Sequence, residues 1–211
     1  MNLITKTKGL MAMVRIVRDP SRLDEVFSLT DSLADDAALQ SIVSRCAATP
    51  EGLAALATLP RLGRLDCSML QTFPPGTLAR AFAEHMLAHN LDPSAIPTLP
   101  AHDERDWVKA HLYETHDLWH LVTGFETDVA GELGLQAFYA AQLGIGLPLA
   151  IIAAGLLNAT LFAPADGDSR MQAIVTGWTM GQAAQSLVGV PWDDMWHQPL
   201  SEIRAQLRIH F

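Results

Sequence analysis

Charged residues are scarce in this 211-residue chain, at 18%, and aromatic residues are scarcer still, at 7%. Alternation of β-branched and aromatic residues, the mark of a half-buried strand, is almost absent. Alanine, leucine and methionine fill the gap, and all three favour helix. Basic residues are few, with 14 Lys and Arg against 23 Asp and Glu, giving a net charge of −9 and a pI near 5.2. That balance excludes the basic face that nucleic acid requires, so no nucleic-acid partner is expected. Cys46 and Cys67 are the only cysteines. Two do not build a disulfide framework, and a reducing compartment is the default. The amino end lacks the long apolar run and small-residue cleavage site of a secretory signal, and the Arg and Ser enrichment of a transit peptide.

What is present reads as an all-α fold. Hydrophobic residues make up 49% of the chain, enough for a sizeable core, and no long polar linker divides it, so one helical domain over residues 1–211 is expected. Helix starts recur. Ser21 with Asp24 and Glu25 forms a capping pattern ahead of Val26 and Leu29. Thr49-Pro50-Glu51 offers a cap, a proline at the first helical position and an acid in the first turn. Pro74-Pro75-Gly76-Thr77 breaks the chain before a helix over 78–89, and the three prolines between Asn90 and Pro100 predict a loop. Asp103 caps a helix to about Thr123, Gly124 ends it, and Thr127-Asp128 opens the next.

Two segments are unusual. Residues 133–165 carry no charge, and the 21-residue core of that stretch, "LGIGLPLAIIAAGLLNATLFA", is as long as a membrane span. Pro148, Asn158 and three glycines inside it favour a fully buried helix pair. An apolar groove or tunnel for a lipid tail is the third reading. At the amino end, Lys6, Lys8, Arg15 and Arg18 precede the first acid, Asp19, and alternate with Leu10, Met11, Met13, Val14, Ile16 and Val17. This is either an ordinary basic helix docked on the core or one that lies on an anionic membrane. Gly177 and Gly181, four apart, allow another helix to approach closely.

The densest chemistry lies in "HDLWHLVTGFETDVAGE", residues 116–132. On a helix, His116 and His120 stand only about 40° apart, and Asp117 about 60° beyond His120. Histidines at i and i+4 can share one metal ion, the logic of the zinc-protease H-E-x-x-H helix, here with aspartate in place of glutamate. Glu132 would sit about 160° around and roughly 24 Å along a continuous helix from His116. Only a reversal near Gly124 and the Glu126–Asp128 turn brings it back. Two imidazoles with carboxylate oxygens suit Zn²⁺, and also Fe²⁺ or Mn²⁺. On spacing alone, a helical histidine pair is more often a solvated or hydrogen-bonded surface feature than a metal site. His102, His111 and His197 read as structural, and Glu126 and Asp128 as cap and turn residues.

The run His116-Asp117-x-x-His120, followed after eleven residues by Glu132, resembles the signature of the coenzyme Q (ubiquinone) biosynthesis protein 4 family. "FPPGTLARAFAEHM" upstream and "PWDDMWHQPLSEIRAQLRI" downstream are similar to that family's flanks, and the likeness covers about residues 19–210. The segment "AHDERDWVKAHLYET" departs from the family's aromatic-acidic pattern. The resemblance implies an all-helical, membrane-peripheral protein acting late in ubiquinone assembly. Its expected reaction replaces the ring C1 carboxyl of a polyprenylated hydroxybenzoate by hydroxyl, and it helps organise the other biosynthesis proteins. The alternative is a non-catalytic lipid-binding scaffold with a structural metal. His116, Asp117, His120 and Glu132 carry over as metal-binding and catalytic positions, with Zn²⁺ the first expectation. The expected site of action is the inner face of the cell membrane of a bacterium, and a homodimer is compatible with the Gly177–Gly181 spacing.

Overall fold

The computed structural model describes residues 3–20 and 22–211. Among these residues there are eleven α-helices and no strand, with a lone bridge between Thr77 and Pro199. The all-α expectation holds. The expected cap at Ser21 lies outside the described residues, as do the side chains of Lys6, Leu23, Asp24 and Phe27. The chain clusters into two compact units, Met1–Ile42 with Phe125–Gln182, and Val43–Gly124 with Ala183–Phe211.

The first unit contains α1 (Leu3–Arg18), α2 (Leu23–Leu33), most of α3 (Asp36–Cys46), α8 (Val129–Leu143), α9 (Gly146–Phe162) and α10 (Gly167–Ala183). Its centre is Ala12, Ile16, Leu29 and Ala154, flanked by Val26, Leu147 and Ile151. Gly144, at φ 65°, ends α8, so the charge-free stretch is two helices rather than one span. Among the described residues no helix is long and apolar enough to cross a membrane. Nor is the pair fully buried: Leu149, Leu157, Leu161 and Phe162 of α9 are each about half exposed or more. The polar residue inside α9 is satisfied. Asn158 donates from Nδ2 to the Val17 carbonyl at 2.9 Å and accepts from the buried Arg170 guanidinium at 2.7 Å. Gly177 and Gly181 do permit a close approach. A Cβ on Gly177 would strike the Gly134 carbonyl, and one on Gly181 would lie 2.9 Å from the Phe138 carbonyl. That face of α10 is therefore occupied by α8, and the spacing no longer argues for a homodimer.

The second unit contains α4 (Pro50–Thr58), α5 (Cys67–Leu70), α6 (Leu78–Ala88), α7 (Glu104–Thr123) and α11 (Leu200–Gln206). Thr49 and Asp103 cap where the sequence puts them, and Thr77, expected only as part of a break, is a cap as well. Thr49 accepts from the Gly52 amide, Thr77 from that of Arg80, and Asp103 from those of Arg105 and Asp106. Trp107, Leu118, Trp119 and Val122 are fully buried along α7. The middle of α7 is held by two polar anchors. Glu114 accepts from both the Nε and Nη2 of Arg61 and from the Leu62 and Gly63 amides at 3.1 and 3.2 Å, while Arg61 Nη2 also donates to the Leu99 carbonyl. Burial pushes the Glu114 carboxyl up, but the guanidinium and the two amides outweigh it and hold it below the ordinary range. One turn earlier, the His111 Nε2 accepts from the Gly189 amide at 3.0 Å, so the neutral ring carries its proton on Nδ1. His111 is thus structural, as expected, and burial drives its pKa down to about 4.

These anchors yield two expected outcomes. Glu114→Ala removes four hydrogen bonds and leaves Arg61 without its acid; because Arg61 is partly exposed, a loss of about 2 kcal/mol in urea unfolding is expected. His111 has a folded pKa below its unfolded one, so the unfolded chain binds the extra proton. Its stabilising contribution is complete above about pH 6.5 and falls as the pH drops towards 4, by on the order of 3 kcal/mol. Urea midpoints followed from pH 8 to 4 should show this decline, and His111→Gln should flatten it.

Candidate metal centre

The motif forms at the end of one helix and the start of the next. Gly124 follows Thr123 in the left-handed region, φ 73°, and its amide donates to the His120 carbonyl at 2.8 Å. A Cβ there would run into the Phe211 ring, so glycine is required on two counts. Arg204 supplements the helix end by donating to the Val122 carbonyl at 3.0 Å and the Leu121 carbonyl at 2.8 Å. Asp128 then caps α8 by accepting from the Gly131 amide at 2.7 Å. Gly131 is held so near the Glu126 carbonyl that a side chain would collide with it. This tight turn fixes the first turn of α8, where Glu132 sits.

His116, His120 and Glu132 come together. Each offers one ligand atom, and the three atoms all lie within 4.8 Å of one another. His120 is buried, while His116 and Glu132 are half-buried. The two imidazole rings stand edge to face with centroids 4.8 Å apart. Zinc–nitrogen bonds of about 2.0–2.1 Å would place tetrahedral donors roughly 3.4 Å apart, against separations of up to 4.8 Å here. Two neutral nitrogens and a carboxylate oxygen fit a borderline divalent metal, and three protein donors leave a coordination position for water or substrate.

Asp117 is not one of this group. Its charge is felt instead by side chains around α6. The Cys67 thiol is raised by burial and by Asp66, Asp92 and Asp117. His85 is pushed down to about 4 by burial, His89 and His120, with Asp117 pulling the other way. His85 on α6 and His89 at its C-terminal cap, rings 4.5 Å apart, bring a second histidine pair beside the motif. Their i, i+4 spacing repeats that of His116 and His120 and was the signal that could have found them. The Nε2 of His85 is buried with no hydrogen-bond partner. The remaining candidates lie elsewhere: His102 is exposed at the start of α7, and His197 stacks on Phe73 at 4.6 Å.

A sequence model described as coenzyme Q (ubiquinone) biosynthesis protein Coq4 matches residues 3–211. The chain is 28% identical to the mitochondrial ubiquinone biosynthesis protein COQ4 homolog of Danio rerio over 97% of its own length and 77% of the relative's. It is 27% identical to the mitochondrial ubiquinone biosynthesis protein coq-4 of Caenorhabditis elegans, over 95% and 88%. A crystal structure of a protein ascribed to ubiquinone biosynthesis in Nostoc punctiforme superposes with a TM-score of 0.82 at 29% identity, covering 98% of this chain and 99% of that one. The chain belongs to the coenzyme Q (ubiquinone) biosynthesis protein Coq4 family.

Proposed function

We propose that this protein acts in ubiquinone biosynthesis as a metal-dependent enzyme that replaces the ring C1 carboxyl of a polyprenylated hydroxybenzoate by hydroxyl. The observation that carries this reading is the group of three donors, His116, His120 and Glu132, with Asp117 outside it. A structural metal is ordinarily closed by four protein ligands, whereas a reactive one keeps a position open. In the reaction the C1–carboxyl bond breaks, the carboxyl carbon leaves as CO₂, and a C1–O bond forms with oxygen from water; two electrons and two protons pass to dioxygen, which leaves as hydrogen peroxide, or to an equivalent two-electron acceptor. A divalent ion, Zn²⁺ first and Fe²⁺ or Mn²⁺ next, would supply Lewis acidity and a template for the head-group oxygens.

The chain's own residues do the rest. His116 and His120 fix the position of the head group through a rigid helix end, and Glu132 contributes negative charge from the first turn of α8. Asp117 would orient a histidine or move a proton, beside a His85 whose pKa burial pushes down to about 4. The charge-free 133–165 stretch provides apolar surface for the polyprenyl tail, at about 0.8 kcal/mol for each buried methylene. A substrate of this kind resides in a bilayer, so peripheral contact with the inner face of the cell membrane and with other ubiquinone biosynthesis proteins belongs to the same reading.

His116→Ala, His120→Ala and Glu132→Ala should each lower metal affinity by at least about 100-fold, whereas Asp117→Asn should cost about tenfold or less. Elemental analysis of the purified variants and quinone profiling of cells are the measurements, with the carboxylated precursor accumulating. Unchanged metal content with unchanged quinone output would overturn the proposal. Binding of a short-tail substrate analogue by the metal-loaded protein without any turnover would favour the scaffold.

A further inference from the structure

We propose that the exposed face of α1 is the surface by which this protein docks on an anionic lipid bilayer. The inference rests on the reading above, that the substrate is a bilayer-resident lipid, and it names the contact that reading leaves open. Helix α1 has two faces of opposite character. Gly9, Ala12 and Ile16 are buried, and Gly9 brings the helix so close to α2 that an added Cβ would lie 3.0 Å from that of Ser32. The other face carries Leu10, Met11 and Val14 at 65%, 55% and 49% exposure, together with exposed Lys8, Arg15 and Arg18. At 100° per residue these six side chains share an arc of about 160°.

The charge on this arc identifies its occupant. Leu3–Arg18 contains four cations and no acid, in a chain whose net charge is −9. Of the three exposed cations, Arg15 is paired with Glu25 at 2.9 Å, and Glu25 also accepts from Arg22 at 3.3 Å. Among the described residues no ion pair is formed by Lys8 or Arg18, and Asp19 follows the helix. A second copy of the chain meeting this face with its own would set like charges together. A neutral apolar partner would have no use for the cations. Anionic headgroups match the lysine and arginines while the three apolar side chains enter the acyl boundary beside them, and the long basic side chains reach up to the headgroups.

The test is co-sedimentation of the full-length protein with phosphatidylcholine vesicles, with and without phosphatidylglycerol. The wild type should bind the anionic vesicles, less tightly as salt is raised. K8Q/R18Q should weaken partitioning about 25-fold, about fivefold for each cation. L10S/M11S/V14S should reduce it to background. All five positions are solvent-facing, so circular dichroism and the unfolding midpoint should be unchanged in both variants. As the comparison surface, M171S/V175S/W178S removes the exposed apolar ridge of α10 and should leave binding intact. Loss of binding in that variant in place of the α1 variants would overturn the proposal. So would dimers of the wild type, without vesicle binding, that L10S/M11S/V14S dissociates. If the wild type binds and the α1 variants bind equally, the face is wrong and the bilayer reading stands. If the wild type ignores both kinds of vesicle, both fall.

Discussion

The candidate centre depends on the way α7 is stopped. Two histidines on a helix fix a direction, but Glu132, only twelve residues beyond His120, can reach them only if the chain reverses within a few residues. Gly124 permits that reversal at φ 73°, a conformation that costs an L-residue roughly 1–2 kcal/mol. The Phe211 ring lies against the glycine, and the Arg204 guanidinium sits 4.7 Å from the centre of the same ring while donating to the last carbonyls of α7. Phe211 is therefore part of the stop. A residue larger than glycine at 124 would displace Phe211 and strain the backbone that places His120.

Helix electrostatics act in the same direction. His120 lies in the last turn of α7, where the peptide dipoles leave partial negative charge, and Glu132 lies in the first turn of α8, where they leave partial positive charge. Positive charge gathered by the imidazoles and negative charge on the carboxylate are each placed at the helix end that favours them. Arg204 occupies two of the terminal carbonyls of α7, and burial lowers its own pKa. It ties α11 to the helix end that carries the histidine pair.

Much of this could be read from the residues. Caps and stops are local effects, so Thr49, Thr77, Asp103, Gly124 and Asp128 announce themselves through hydrogen bonds to chain neighbours within three or four positions. The two histidines follow from helical periodicity alone. Asp117 shows where periodicity ends: adjacent residues on a helix diverge by about 100°, and only the packing of α6 decides what the diverging side chain meets. His85 and His89 arrive at the motif through that packing, from a segment thirty residues away whose i, i+4 spacing marks a pair but not its destination. The charge-free stretch was misleading for a related reason. Hydropathy records the absence of charge but not which side is covered, and α9 leaves several leucines in the open.

Asn158, a polar residue in that stretch, explains how α1 comes to present its outer face firmly. Asn158 donates to the Val17 carbonyl near the end of α1 and is itself held by Arg170, which also donates to the Gly155 carbonyl at 2.8 Å and to Asp166 at 2.9 Å. A network of this kind is costly if any member is lost, because each buried donor would then have no partner. It fixes α1 on α9 at one end, while Gly9 seats it on α2 near the other. With both ends fixed, the buried stripe of Gly9, Ala12 and Ile16 cannot rotate outwards. The opposite arc of leucine, methionine, valine and cations is left facing solvent by the same contacts that build the core.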